Sequence, residues 1–289
     1  MSSVTIVHNP ASGGSVDVDL LRSAAEQHAN GHRLRWSPTT ADDPGIGQAR
    51  DAVERGCDAV IACGGDGTVR AVLEGVAGSN TELGVVPLGT GNLLAGNLGL
   101  ADGLDAFPVA LSAPATTLDT ATVNGERFAV MAGVGFDAMM IRDASSGVKE
   151  RFGSAAYIAS AARNLPAKVV SAAVTVDGRD VFEGRTAMVL VGNCGRVTGG
   201  LEVFPDADPA DGRLDLAVLS AERARDWATV LWRLVRGKPQ PSELVTRHRG
   251  EVIEVHLDEP VAYELDGEDR EPATELRFEI DAATLQVRR

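Results

Sequence analysis

Basic charge is scarce in this chain. Its 289 residues carry 27 lysines and arginines against 41 aspartates and glutamates, a formal net charge of −14. Neutralising a phosphate backbone requires the opposite balance, so general nucleic-acid binding is not expected, although a local basic patch stays open. Cysteine is scarce too. Cys57, Cys63 and Cys194 are odd in number and lie at no metal-ligand spacing. They read as small buried hydrophobes in a reducing compartment. No apolar run approaches the ~18–20 residues needed to cross a bilayer. Instead of a signal peptide, the chain shows a strand pattern almost at once, VTIVHNP (Val4–Pro10). The expectation is a soluble, cytoplasmic protein.

Familiar nucleotide motifs are also missing. There is no GxxxxGK[ST], hence no lysine-bearing phosphate loop, and no GxGxxG after the first strand, hence no dinucleotide fingerprint. The HRD and DFG signatures of protein kinases are absent as well.

What is present is an ordinary globular chain, 44% hydrophobic, with a change of texture near Leu118. Before that point strand and helix signals alternate. Val4–Val7, His32–Ser37, Asp58–Cys63 and Leu83–Pro87 read as strands. Leu20–Gln27, Gly45–Arg55, Thr68–Ala77 and the stretch opening at Asn92 read as helices. This alternation predicts an α/β domain with a doubly wound parallel sheet over 1–120. After it come short β-branched runs separated by NG and DG turns, which favour hairpins and predict an antiparallel β-sandwich over 121–277. Helical patterns interrupt it near Gly153–Asn164 and Glu222–Val235.

Three glycine loops follow strand patterns in the first part: HNPASGG (His8–Gly14), GGDGT (Gly64–Thr68) and PLGTGNLLA (Pro87–Ala95). Each alone is as well explained as a tight βα turn, but three at successive strand ends predict a cleft. With no lysine loop, phosphate would be held by backbone amides and by the Thr68 and Thr90 hydroxyls, with magnesium supplying positive charge. The carboxylate of Asp66, amid the glycines, then suits a place near magnesium or the attacking hydroxyl. It could equally cap the following helix.

GGDGT followed about twenty residues later by PLGTGN resembles the diacylglycerol kinase catalytic-domain family, which includes bacterial lipid kinases and, more distantly, sphingosine and ceramide kinases. HNPASGG, GVGFDA (Gly133–Ala138), FPDADPADGRLDL (Phe204–Leu216) and LDGE (Leu265–Glu268) resemble further family motifs, in the family's order and over nearly the whole chain. The resemblance implies a fold like that of diacylglycerol kinases and NAD kinases, with a last strand, about 278–289, returning to the first domain. It implies ATP- and Mg²⁺-dependent phosphorylation of a lipid hydroxyl, a transient place at the inner membrane face, and a homodimer. Matched by position, nucleotide contacts fall on Asn9, on Thr40 beside Thr39, on Gly64, Gly65, Asp66, Gly67, Thr68, Val69 and Arg70, and on Thr90, Gly91 and Asn92. Glu268 matches the proposed general base. Asp137 would orient the acceptor or support Glu268, with Asp66 near the γ-phosphate. Asp137 and Asp266 also read as turn residues.

The DGRLD stretch carries a second implication, a metal held away from the reacting phosphate by Asp211 with the carbonyls of Asp208 and Arg213. A plain DG hairpin turn explains the same residues. In ERARDWATVLWRLVRGKPQ (Glu222–Gln240), Trp227, Val230, Leu231, Leu234 and Val235 fall at helical spacing among arginines. The segment reads as an amphipathic helix at an anionic lipid interface, or as a helix packed on the sandwich with solvated arginines. The rival functions are an NAD kinase, which also uses GGDGT, a phosphofructokinase-like sugar kinase, and a non-catalytic nucleotide- or lipid-binding regulator.

Overall fold

The computed structural model describes residues 2–12, 17–135, 169–197, 201–221, 223–236 and 243–289. Asp137 and the helical pattern near Gly153–Asn164 lie outside the described residues. The chain forms two compact units, Met1–Thr120 with Ala282–Arg289, and Ala121–Asp281.

In the first unit strands alternate with helices. The order is β1 (Ser3–His8), α1 (Val18–Gln27), β2 (Arg33–Pro38), α2 (Ile46–Glu54), β3 (Ala59–Gly64), α3 (Asp66–Val76), β4 (Glu82–Pro87), α4 (Leu93–Leu98), a 3₁₀ turn at Gly103–Ala106, and α5 (Phe107–Ser112). The strands pair in parallel in the order β2-β1-β3-β4. β3, AVIACG, is buried at every residue, as an apolar strand covered on both faces of a parallel sheet must be. Ile6, Ile61, Val86, Phe107 and Leu111 share a core. Because β2 and β4 lie on opposite sides of the β1–β3 pair, the strand order reverses there. That is the switch point where doubly wound sheets open a crevice beyond the strands' carboxyl ends. Cys57, Cys63 and Cys194 are free and buried, and burial pushes the Cys63 thiol far up from its ordinary pKa.

The second unit is antiparallel. It contains β6 (Glu126–Phe128), β7 (Met131–Val134), β8 (Val170–Val176), β9 (Arg179–Thr186), β10 (Met188–Gly192), β11 (Arg196–Val197), β12 (Leu201–Glu202), β13 (Leu214–Leu219), β14 (Val245–Gly250) and β15 (Val252–Leu265). β5 (Ala115–Val123) enters it and β16 (Glu268–Arg288) leaves it. The one helix among its described residues, here α6, is Ala224–Val235. β15 pairs with β8 through Ile253–Leu257 and with β7 through Tyr263–Leu265, with a register irregularity between His256 and Val261. An irregularity of this kind bends a strand, so one strand serves two layers. In the unit's core Phe128 meets Phe278 edge-to-face, ring centres 6.3 Å apart.

The chain's end closes the first unit. Val287 pairs with Leu83 of β4 in parallel. The buried Arg288 donates through Nε to Glu82 Oε2 at 2.6 Å, and through Nη1 to the Leu111 and Ala110 carbonyls at 2.6 and 3.2 Å. Removing the guanidinium leaves two carbonyls and a carboxylate without their donor. Arg288→Ala should therefore cost about 2–3 kcal/mol, read as a Tm lower by about 5–10 °C in a thermal melt.

Candidate active site

The glycine loops end neighbouring strands, so they must cross within one strand spacing. Leu88 N–H donates to the Gly64 carbonyl at 2.8 Å. A methyl group built on Gly89 would lie 2.6 Å from the Gly65 Cα, so the loops meet backbone to backbone and only glycine fits at Gly89. Asn92, in the left-handed region at φ 47°, accepts from the Gly89 N–H at 3.0 Å through Oδ1. Asp66 joins the two loops. Its Oδ2 accepts from the Asn92 N–H at 2.9 Å and its Oδ1 from the Leu93 N–H at 2.6 Å. Those are the first amides of α4, which have no partner inside their own helix. Asp66 is also the first residue of α3, where a negative charge meets the positive end of the helix. It thus caps α4 across the loops, while the N-cap of α3 is Gly65.

Around this junction, the Asn9 N–H donates to the Cys63 carbonyl at 3.0 Å, and Asn9 Nδ2 lies 3.4 Å from Thr68 Oγ1. The ends of β1 and β3 are thereby tied at the switch point. Thr68 and Val69 are buried; Gly67 and Arg70 are partly exposed on the first turn of α3. Thr90 and Gly91 line a surface recess of about 510 Å³ with Gly89, Asn92, Gly96 and Asp102. Thr40 is exposed and closes its own turn, accepting from the Asp43 N–H at 3.1 Å, whereas Thr39 is buried. His8 is buried, its ring centre 5.5 Å from that of Trp36 in an edge-to-face arrangement; burial, then the Arg22 charge, lowers its pKa.

In the second unit the LDGE stretch forms another constellation. Asp266 is buried, with a left-handed backbone at φ 49°. Its Oδ1 accepts from the Val130 and Met131 N–H groups at 2.9 and 3.0 Å, and its Oδ2 from Ala129 at 2.8 Å. Beyond closing a DG turn, it holds the approach to β7. Glu268 Oε2 lies 3.2 Å from Arg270 Nη2. Arg270 is itself fixed by a two-pronged pairing with Glu126, Nε–Oε2 at 2.8 Å and Nη2–Oε1 at 2.5 Å. The Glu126 carboxylate, hydrogen-bonded to it, raises the Arg270 pKa further. Neither Glu126 nor Arg270 belongs to a recognisable motif, and their pairing spans 144 positions of sequence.

The DGRLD residues meet a cation of the chain's own. Asp211 Oδ1 accepts from the Arg213 N–H at 3.0 Å, and its Oδ2 pairs with Arg249. The Asp208 carbonyl accepts from the Asp211 N–H at 3.2 Å, and Arg249 Nε also lies 3.2 Å from Asp215 Oδ1. No group of three or more acidic, histidine or cysteine side chains able to hold a metal occurs among the described residues. A divalent ion here would meet a guanidinium on the same carboxylate, so these residues do not fit the metal that the resemblance implies.

A parallel sheet with glycine loops at its switch point and an antiparallel second unit define the architecture shared by diacylglycerol and NAD kinases. The model of the diacylglycerol kinase catalytic domain matches residues 3–123, and that of the YegS C-terminal NAD kinase beta sandwich-like domain matches 129–289. The chain belongs to the diacylglycerol kinase catalytic-domain family and carries the YegS-type C-terminal domain. It is 28% identical over 274 residues to a diacylglycerol kinase of Bacillus subtilis, covering 93% of this chain and 90% of that protein. It is 30% identical over 280 residues to a probable lipid kinase YegS-like of Alcanivorax borkumensis, covering 93% and 91%. A putative diacylglycerol kinase from Bacillus anthracis shares the fold with a TM-score of 0.80 at 20% identity, over 99% of this chain and 96% of that one. An NAD kinase from Archaeoglobus fulgidus in complex with ATP shares it at 0.54 and 13%, over 99% and 93%.

The Gly65–Gly89 contact yields a test. Gly89→Ala must push backbone against backbone, and should cost about 1–3 kcal/mol. Amide hydrogen exchange at Asn92 and Leu93 should accelerate as the loops part.

Proposed function

We propose that the chain transfers the γ-phosphoryl group of ATP to a lipid hydroxyl, diacylglycerol being the first acceptor to consider. The observation that carries the reading is the lysine-free cradle of two glycine loops tied through Asp66, in a chain of a lipid-kinase family. Phosphoryl transfer depends on in-line positioning and charge neutralisation more than on covalent chemistry. The first N–H groups of α3 and the Thr68 and Thr90 hydroxyls receive phosphate oxygens, with Asn9, Thr40, Gly91 and Asn92 bordering the nucleotide. Magnesium arriving with the nucleotide would supply the positive charge that this lysine-free cradle lacks. Asp66, oriented by the Asn92 and Leu93 amides, would stand near the γ-phosphate, beside magnesium or the incoming hydroxyl. Glu268 accepts the hydroxyl proton, Arg270 fixes its carboxylate, and Asp137 orients the acceptor or supports Glu268.

Labelled ATP with magnesium and mixed micelles of diacylglycerol, monoacylglycerol, sphingosine, ceramide or undecaprenol tests the reading, with NAD as the rival acceptor. Label in diacylglycerol is expected. Label in NADP would overturn the lipid assignment, and ATP binding without label in any acceptor would point to a regulator. Since a positioned base contributes about 100- to 10,000-fold, Glu268→Gln should lose that factor in kcat while keeping its ATP affinity. Full activity in that variant removes Glu268 from the base role.

The acceptor's chemistry further calls for contact with a bilayer. No helix among the described residues is long and apolar enough to cross a membrane. α6 offers a peripheral alternative. Trp227 and Val230 are buried, whereas Trp232 is 39% exposed with the Arg236 guanidinium 4.5 Å from its ring centre. Trp232 with the arginines beside it then meets the anionic lipid surface, and Trp227 anchors the helix. Trp232→Ala should weaken binding to phosphatidylserine-containing vesicles about tenfold (~1.4 kcal/mol) without lowering Tm; unchanged binding removes α6 from the interface.

A further inference from the structure

β14 reads VTRHRG, and the strand alternation puts Arg247 and Arg249 on one face. Backbone register then sets Arg249 directly opposite Asp215 of β13, and Arg247 opposite Ala217. From there the two arginines reach both ends of the 203–213 segment. Arg247 donates to the Val203 carbonyl at 2.8 Å, with its guanidinium 5.5 Å from the Phe204 ring centre. Arg249 bridges Asp211, at the segment's far end, and Asp215. Asp215 is buried, and a buried carboxylate needs a counter-charge. Asp211 needs one too, because it stands beside Asp215 and its backbone-directed oxygen already accepts from Arg213.

We infer that Arg249 is the resident cation of the DGRLD segment: its guanidinium does between Asp211 and Asp215 what a divalent ion would do, and the segment closes without metal. The cation is covalently attached and delivered by strand register, so it is present whatever the metal concentration. Its planar fork also meets two carboxylates at once, a geometry that a lysine in its place would lack. The inference concerns only this segment and is independent of the metal that accompanies the nucleotide in the proposed reaction.

The test is a thermal melt of the full chain without nucleotide, in EDTA and in millimolar MgCl₂. Wild type should melt at the same temperature in both. Arg249→Met keeps the stem and removes the charge, and should lower Tm by about 3–8 °C in EDTA. Magnesium should restore part of that loss, and Asp211→Asn added to Arg249→Met should abolish the restoration. Should Arg249→Met fail to fold, Arg249→Lys keeps a charge but loses the fork, and should show a smaller magnesium-insensitive loss. A magnesium-dependent rise in wild-type Tm that Asp211→Asn removes would overturn the inference. An Arg249→Met chain as stable as wild type in EDTA would overturn it as well.

Discussion

The Asp66 carboxylate, receiving the Asn92 and Leu93 N–H groups, is the contact on which the first unit's loop architecture depends. Two parallel strands bring their loops within one strand spacing, and glycine at Gly65 and Gly89 lets the backbones touch. Contact alone would not hold them, since glycine is also the residue with the most freedom to leave. The carboxylate supplies the hold, and at the same time satisfies two amides that α4, six residues long, cannot satisfy itself. A negative charge among the loop glycines is therefore no contradiction. Much of its field is taken up by backbone dipoles of the neighbouring loop, while it still favours the helix end on which it sits.

The fold was largely legible because it is written in short-range pattern. A fully apolar six-residue strand, glycines at strand ends and helix-period stretches between them specify a parallel sheet whichever helix face turns inward. Family motifs in sequence order added the second unit. Long-range partners were not legible. Asp266 looked like a turn residue, and locally it is one, but its oxygens are committed to amides 135 to 137 positions away. Glu126, Arg270 and Arg249 carry no local signature, since what defines each is the residue opposite it in a sheet whose register no single strand encodes.

The tryptophans show a different kind of illegibility. Trp227 and Trp232 stand five positions apart, which at about 100° per residue turns them well away from each other on a helix. Only Trp227 falls on the apolar stripe with Val230, Leu231, Leu234 and Val235. The structure separates them, Trp227 inward and Trp232 outward with Arg236 over its ring. Helical spacing separates the two rings, but which of them turns inward is set by what α6 packs against.

Four carboxylates of DG or DGE sequences differ in their surroundings, and this bears on which could take a chemical role. Asp266 is buried and receives three amides, so moving a proton onto it would break the anchor of β7. Asp66 receives the Asn92 and Leu93 amides, which commit both its oxygens to joining the loops. Asp211 faces an arginine and supports its own turn. Glu268 differs in exposure: its side chain is 39% exposed, and it lies 3.2 Å from a guanidinium also engaged with Glu126. An arginine shared in this way orients the carboxylate. In the proposed reaction the proton acceptor needs that exposure, because a carboxylate placed as Asp266 is could not change its charge without unmaking the structure around it.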